Sequence, residues 1–433
     1  MLRSIRQLPY WQWNLYVIWG AVFTAQIAFS IVTPFLPTLV VELGVRENVS
    51  AWAGLVFAVN FITSSLIAPV WGSLSDRYGK KPMMLRAGLG IGITYFGMAS
   101  ATSVWQLILW RAVNGLVSGF IPAANTFIAS NTPEGELGKA LGFLQAGGAA
   151  GLIIGPLLGG LIAGWVGPRG SFLVSGGLLI MAALSPYIFR LQERAPVRKE
   201  QPRPLQDVKE CLQNTSLRLL FLVQLMVQSG LLFVQPTLPL YIREITTSRV
   251  ELVTGIVYSL VGIATVLGSP FLSRRASRNG PALLTACLAL AALFNVGQGL
   301  SRSPWLLGVF RFLFGLANAG ISVSASLMMA LSVPPEARGR TFGLLQSVNS
   351  LGGVLGPLIG GSLGDALGLR SPFFATAAVL ASASALIRLY GSELPAAPAV
   401  EATAKAPCPP PAGDGPSLPA CPTGTGRAGR ATG

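Results

Sequence analysis

The chain has 433 residues, of which 52% are hydrophobic and only 11% charged, with a mean hydropathy of +0.60. Soluble domains carry about 25% charge, so an ordinary water-soluble enzyme or binding module is excluded. The net charge of +15 raises nucleic acid as a partner, but the distribution of the basic residues described below accounts for it by membrane topology, and no nucleic-acid partner is expected.

The first residues, MLRSIRQLPYWQWN, run straight into a long apolar stretch without a small-residue cleavage site, and so read as an uncleaved first helix. Twelve apolar runs follow one another, among them Leu15–Val41, Ala87–Ala101 and Leu141–Ala163. About 20 apolar residues suffice to cross a bilayer as a helix, so the sequence predicts an all-α membrane protein with twelve transmembrane helices. With the N-terminus in the cytoplasm, Arg46, Arg169, Arg243, Arg249, Arg302 and Arg370 fall in odd-numbered loops. Arg111 and Arg311 fall inside spans, and the remaining Lys and Arg lie in even loops and terminal segments. That bias is the positive-inside rule and places both termini in the cytoplasm.

The chain reads as a duplication. WQLILWRAVNG at Trp105–Gly115 matches WLLGVFRFLFG at Trp305–Gly315, and GPLLGG at Gly155–Gly160 matches GPLIGG at Gly356–Gly361. Gln26, Pro34, Pro37 and Glu42 match Gln228, Pro236, Pro239 and Glu244. The offset stays between 200 and 202 residues, which predicts two six-helix pseudo-repeats, residues 1–190 and 219–391. Between them residues 191–218 form a polar cytoplasmic linker, read as a solvated amphipathic stretch. Residues 392–433, rich in Pro, Ala and Gly, read as a disordered cytoplasmic tail. Cys211, Cys287, Cys408 and Cys421 have no metal-ligand spacing and the chain has no His, so neither a metal site nor a structural disulfide is expected.

GSLSDRYGKK, Gly72–Lys81, places Gly72, Asp76, Arg77, Gly79, Lys80 and Lys81 in a short loop after the second run. It resembles the loop signature of the major facilitator superfamily, echoed weakly by SRRASRNG at Ser273–Gly280. GLIIGPLLGG at Gly151–Gly160 and LILWRAVNG, with Arg111, Asn114 and Gly115, resemble the span-5 and span-4 patterns of its twelve-span drug/proton antiporters. The resemblance covers roughly residues 15–390. It implies the major facilitator fold, multidrug efflux by alternating access and a bacterial inner (plasma) membrane. It also implies that Asp76 latches onto the start of span 11 near Gly339–Phe342; a plain helix-end charge is the alternative.

Gly147, Gly151, Gly155 and Gly159 recur every four residues, as do Gly352, Gly356, Gly360 and Gly364. Such stripes let two helices approach closely, and Pro156 and Pro357 each remove a helix hydrogen bond. They read as hinge helices where the halves meet, with Gly151, Gly155, Pro156, Gly159, Gly160, Gly356 and Pro357 as gating residues, or else as static packing. Gln26, Phe29, Asn60, Trp110, Arg111, Asn114, Gln145, Gln228, Gln235, Tyr258, Asn318, Gln346 and Asn349 are the candidate substrate-binding residues. Amides amid apolar surface suit bulky amphipathic compounds. A guanidinium inside a bilayer costs about 2.5–3.5 kcal/mol on insertion scales. Arg111 and Arg311 must therefore face a cavity, as anion or proton-site groups, or snorkel to an interface.

The function expected is a secondary active exporter of amphipathic small molecules acting as a monomer in the lipid bilayer, without a cofactor beyond the transmembrane proton gradient. Against proton coupling, all 16 acidic residues fall in loops, the tail or helix ends, leaving Asp76 and the matched Glu42 and Glu244 as acids to test. The alternative is an exporter or facilitator of one metabolite without proton coupling. An intramembrane enzyme has no nucleophile–base or metal constellation to work with, and no catalytic residue is assigned. A channel lacks a ring of pore-lining charge.

Overall fold

Pro34 and Pro37 interrupt the first apolar run, which divides into helix α1 (Tyr10–Val32), a 3₁₀ turn (Thr33–Phe35) and the short α2 (Leu36–Glu42). The structure is a computed structural model that describes residues 9–193, 215–333 and 338–390, and every regular element among them is helical. Helix α3 (Val49–Tyr78) follows, then α4 (Lys80–Ala99), α5 (Val104–Leu116), α6 (Phe120–Asn131) and the long α7 (Leu137–Ile188). After the linker come α8 (Thr215–Phe233), α9 (Leu238–Ile245), the long α10 (Val250–Leu300), α11 (Pro304–Leu331), α12 (Arg338–Leu367) and α13 (Ser371–Tyr390). The C-terminal tail and most of the linker lie outside the described residues.

Eight of these helical stretches are long and apolar enough to cross a membrane. Two of them, Glu134–Ile188 with 55 residues and Val250–Leu300 with 51, are about twice the length one crossing needs. Each contains a backbone break, at Gly167 (φ 74°) before Pro168 and at Asn279 (φ −151°) shortly before Pro281. The buried apolar side chains gather in clusters that do not mix the two parts of the chain. One runs from Leu15 to Leu191, the others from Leu217 to Ile387.

The glycine stripes face differently from the sequence expectation. A Cβ on Gly151, Gly155 or Gly159 would strike Phe23, Ser30 or Ile31, all on α1 of the same part of the chain. Gly352, Gly356 and Gly360 abut Gln228, Leu232 and Phe233 on α8 in the same way. Contact between the two parts is made one residue further round. Pro156 and Gly160 meet α10 at Gly255 and Glu251, and Pro357 and Gly361 meet α3 at Gly54 and Ser50. The partners at the two crossings correspond pair by pair at an offset of 201 residues. Because 3.6 residues make a turn, a one-residue step rotates the contact by about 100°. A single helix thus packs on its own neighbours through one face and on the other part of the chain through the next.

At the charged loop, Gly79 adopts φ 97° and ψ 160°, ending α3 and starting α4 in one residue. A side chain there would crowd the Glu193 carboxylate, which accepts the backbone N–H groups of Lys80 and Lys81 at the start of α4. Those groups have no partner within their own helix and carry the positive end of its dipole. The Lys81 Nζ donates to Leu191 O at 3.2 Å, and Asn14 Nδ2 donates to Gln192 O at 2.8 Å. The described residues of the linker, 191–193, are therefore hydrogen-bonded to the helices, with Leu191 buried and Gln192 exposed. Lys80 is also more than a topological charge: buried, it donates to Ser75 O at 3.1 Å and to Asp76 at 2.6 Å.

Glu193→Ala should remove this cap at a cost of about 0.5–2 kcal/mol. The thermal unfolding midpoint of the detergent-solubilised protein is expected to fall, with Glu193→Gln losing less. An unchanged midpoint in the Ala variant would show the contact to be energetically idle.

Candidate substrate cavity

Helix α3 presents Phe57, Asn60, Ser64, Ala68, Trp71 and Ser75 at spacings of three and four, one stripe along a helix. That stripe is one wall of a cavity of about 600 Å³. Phe29 and Thr33 of α1, Arg86 and Tyr95 of α4, and Arg111 and Asn114 of α5 line it with α3. Gln235, Gln346 and Ser350 close it from the C-terminal part. It runs from Arg111 to Gly72 and Asp76, so it reaches the face of the molecule that carries the charged loop. On the opposite face the crossings of α3 with α12 and α7 with α10 bring backbones together.

Arg111 is 7% exposed, and its Nε donates to Val56 O at 3.1 Å. No described carboxylate pairs with it. Its counterpart Arg311 is 9% exposed and lies 5.7 Å from the Tyr258 ring centroid. The Nε of Arg311 is buried without a hydrogen-bond partner. Both side chains are buried among the helices. Beside Arg111 a chain of polar side chains ties three helices together. Asn60 Nδ2 donates to Asn114 Oδ1 at 2.9 Å, Asn114 Nδ2 to Thr94 Oγ1 at 2.7 Å, and Thr94 Oγ1 to Ile91 O at 2.7 Å. Gly115 lets α5 lie directly on α3, since a Cβ would overlap Thr63 and Asn60 O.

Below Arg111 the helix breaks. Residues 117–119 separate α5 from α6, with Gly119 at φ 120°. Of the carbonyls at this break, Leu116 O accepts Trp71 Nε1 at 2.6 Å and Ser118 O accepts Arg86 Nη2 at 3.0 Å. The Arg86 guanidinium stacks 3.4 Å over the Trp71 ring. An exposed carbonyl inside a bilayer needs a partner, and a fixed cation on an aromatic ring supplies it here. Helix α11, at the matching place, runs unbroken from Pro304 to Leu331.

Of the nominated binding residues, Phe29, Asn60, Arg111, Asn114, Gln235 and Gln346 line the cavity. Gln26 and Gln228 instead pack against Gly151 and Gly352, Trp110 against Gly97, and Asn349 accepts from Gln224 at 3.1 Å. Tyr258 donates to Gln235 O at 3.2 Å, Gln145 is exposed, and Asn318 is half-buried and not among the lining residues. Gly72 and Asp76 lie at the cavity's loop end, Asp76 paired with Lys80 and 70% exposed. Gly339, Arg340 and Phe342, the expected partners of Asp76, fall outside the residues whose side-chain surroundings are described. Arg77 stacks on Tyr78, its ring centroid 5.4 Å away. Glu42 faces Arg169 at 3.7 Å. Sequence reasoning missed Trp71, Arg86 and Tyr95. The α3 stripe, together with the Gly119 and Pro122 breakers in span 4, was the signal that could have found the first two. No group of His, Cys, Asp and Glu able to hold a metal occurs among the described residues.

Helices of membrane-spanning length around a cavity lined by apolar side chains and a few polar ones, with the two parts of the chain crossing at one face, define a multi-pass membrane transporter. The family model of the Major Facilitator Superfamily matches residues 18–297 and 220–420, and the chain belongs to that superfamily. It is 36% identical over 376 residues to the multidrug resistance protein MdtG of Citrobacter koseri, covering 86% of this chain and 93% of that protein. It is also 36% identical over 385 residues to MdtG of Yersinia enterocolitica, covering 88% and 93%. Among solved structures, a bacterial homolog of the human lysosomal transporter Spinster in an inward-facing, unoccupied conformation is similar at TM-score 0.73 and 18% identity, covering 89% of this chain and 98% of that one. The nucleoside transporter NupG is similar at TM-score 0.72 and 16% identity, over 88% and 98%. These two likenesses are of fold.

Asn114→Ala removes an acceptor from Asn60 and a donor from Thr94 in a buried network, at a cost of about 1–3 kcal/mol. It should lower the thermal midpoint clearly, whereas Gln145→Ala at an exposed position should leave it within about 0.5 kcal/mol of the parent. Equal midpoints for the two variants would show the network to be dispensable.

Proposed function

We propose that the chain is a secondary exporter of amphipathic small molecules, working by alternating access in a bacterial inner membrane. Twelve spans in two six-span halves, with both termini on the Asp76 face and that face in the cytoplasm, complete the reading. The cavity carries it: one chamber walled by both parts of the chain, reaching one face and blocked at the other by two matched helix crossings. The names of the MdtG relatives, multidrug resistance proteins, support export of drugs. Apolar walls with Asn60, Asn114, Gln235 and Gln346 allow several poses. Arg111, buried without a carboxylate, favours compounds with an acidic or strongly accepting group.

Coupling to the proton gradient is part of the proposal on the strength of the antiporter-like span-4 and span-5 signatures. A second reading, uncoupled movement of one metabolite, is favoured by a specific observation. Asp76 is the carboxylate on the lining of this cavity, and it sits at the mouth on Lys80. Uptake into inverted membrane vesicles decides between them. Several amphipathic compounds should accumulate under an imposed pH gradient, collapse with a protonophore, and fall about tenfold or more in Arg111→Ala, the loss of about one charge-assisted contact. Arg111→Lys should restore part of the transport, because it keeps the charge but not the planar fork. Saturable movement of a single compound, indifferent to the gradient, would establish the second reading instead.

A further inference from the structure

Asp365 stands on the last turn of α12, half-buried, on the face opposite the charged loop. Its Oδ1 accepts the Ser50 N–H at 3.0 Å and its Oδ2 accepts the Ala51 N–H at 2.7 Å. Ser50 and Ala51 are in the first turn of α3, where N–H groups have no partner within the helix and the dipole is positive. The carboxylate belongs to the C-terminal part of the chain and the helix it caps to the N-terminal part. Among the described residues, no other acidic side chain hydrogen-bonds across that divide.

The two crossings are matched in backbone but not in chemistry. At α3 and α12, Gly54 lies on Pro357 O and Gly361 on Ser50 O. At α7 and α10, Gly255 lies on Pro156 O and Gly160 on Glu251 O. Carried back by 201 residues, Asp365 falls on Gly164, which has no side chain. The second crossing is instead tied by a neutral bond, Ser259 Oγ to Ile153 O at 2.7 Å. Charge-assisted hydrogen bonds are roughly twice as strong as neutral ones, so the α3–α12 crossing carries the stronger polar tie. Opening the cavity toward this face requires the start of α3 and the end of α12 to part. Both carboxylate bonds then break together, and water takes their place.

We propose that Asp365 is the latch of the closed face. It positions α3 against α12, stabilises the state in which the cavity reaches the Asp76 face, and sets how often the opposite face opens. The inference rests on the alternating-access reading, and it differs from the Asp76 contact that the loop signature implies, which concerns the other face and another helix end.

The test measures distances in the full-length protein in lipid nanodiscs, by pulsed electron resonance between spin labels at Glu47→Cys and Leu367→Cys. The four native cysteines are replaced by Ser. Asp365→Ala should raise the ratio of long to short distances about tenfold, the scale on which one bond to a charged group shifts an equilibrium. Asp365→Asn, which keeps an acceptor but no charge, should lie between that variant and the parent. Labels at Tyr78→Cys and Ser277→Cys, on the loop face, should move closer in Asp365→Ala, a reciprocal change that mere loosening would not produce. Gly54→Leu is the reference, because its side chain forces the crossing apart. If Gly54→Leu lengthens the distance and Asp365→Ala does not, the latch is overturned and alternating access stands. If neither variant yields the long distance, both readings fall.

Discussion

At two helix crossings the two parts of this chain meet backbone against backbone. Gly54 lies on the Pro357 carbonyl, and 201 residues further along Gly255 lies on that of Pro156. The membrane interior offers no hydrophobic force between helices, so contact there depends on packing and on backbones close enough for it. Glycine on one side and a proline carbonyl on the other give that approach twice, and both times on the face away from the charged loop. The cavity's blind end, its open reach toward Asp76 and the division of labour along α7 and α12 all follow from where these two crossings sit.

Inside this frame several of the buried polar groups around the cavity have specific partners. The carbonyls freed by the break between α5 and α6 are met by Trp71 and Arg86, which makes the kink a fixed feature of the cavity wall rather than a loose segment. The amides of Asn60 and Asn114 are used up largely on each other and on Thr94, joining α3, α4 and α5. Arg111 stands apart, buried with one backbone acceptor for its Nε and no acid beside it. A low-dielectric site holding an unneutralised cation attracts negative or strongly accepting groups, which is why the charge balance of the cavity, more than its size, shapes the proposed substrate class.

Acidic side chains are placed with similar economy. Glu193 caps α4 and Asp365 caps α3, so two consecutive helices begin on carboxylates borrowed from distant sequence. The first cap joins elements of the same part of the chain and fixes the charged loop. The second joins different parts, at an end that must separate if the cavity is to change sides. Similar chemistry thus fixes a loop in one place and, in the proposed mechanism, makes a reversible contact in the other, and the difference lies only in which elements it connects.

Much could be read before any coordinates. Hydropathy, the distribution of Arg and Lys, and the repeated GPLLGG and GPLIGG segments point to a duplicated helical membrane protein, and GSLSDRYGKK to a charged loop that contains Gly79. The family was legible in the same motifs, and six of the thirteen nominated binding residues do line the cavity. Local sequence could not say which face of a glycine-rich helix meets which neighbour. The four-residue stripe looked like the inter-half surface, yet it packs on α1 and α8, and the next residue round makes the crossing. Nor could it single out Asp365 from other helix-end acids, or separate Gln26, which packs on a glycine, from Asn60, which faces the cavity. Composition and periodicity determine that a segment is a helix and how apolar it is, because those depend on residues a few positions apart. Rotation about the helix axis and the partner across the gap depend on residues hundreds of positions away, and only the tertiary packing decides them.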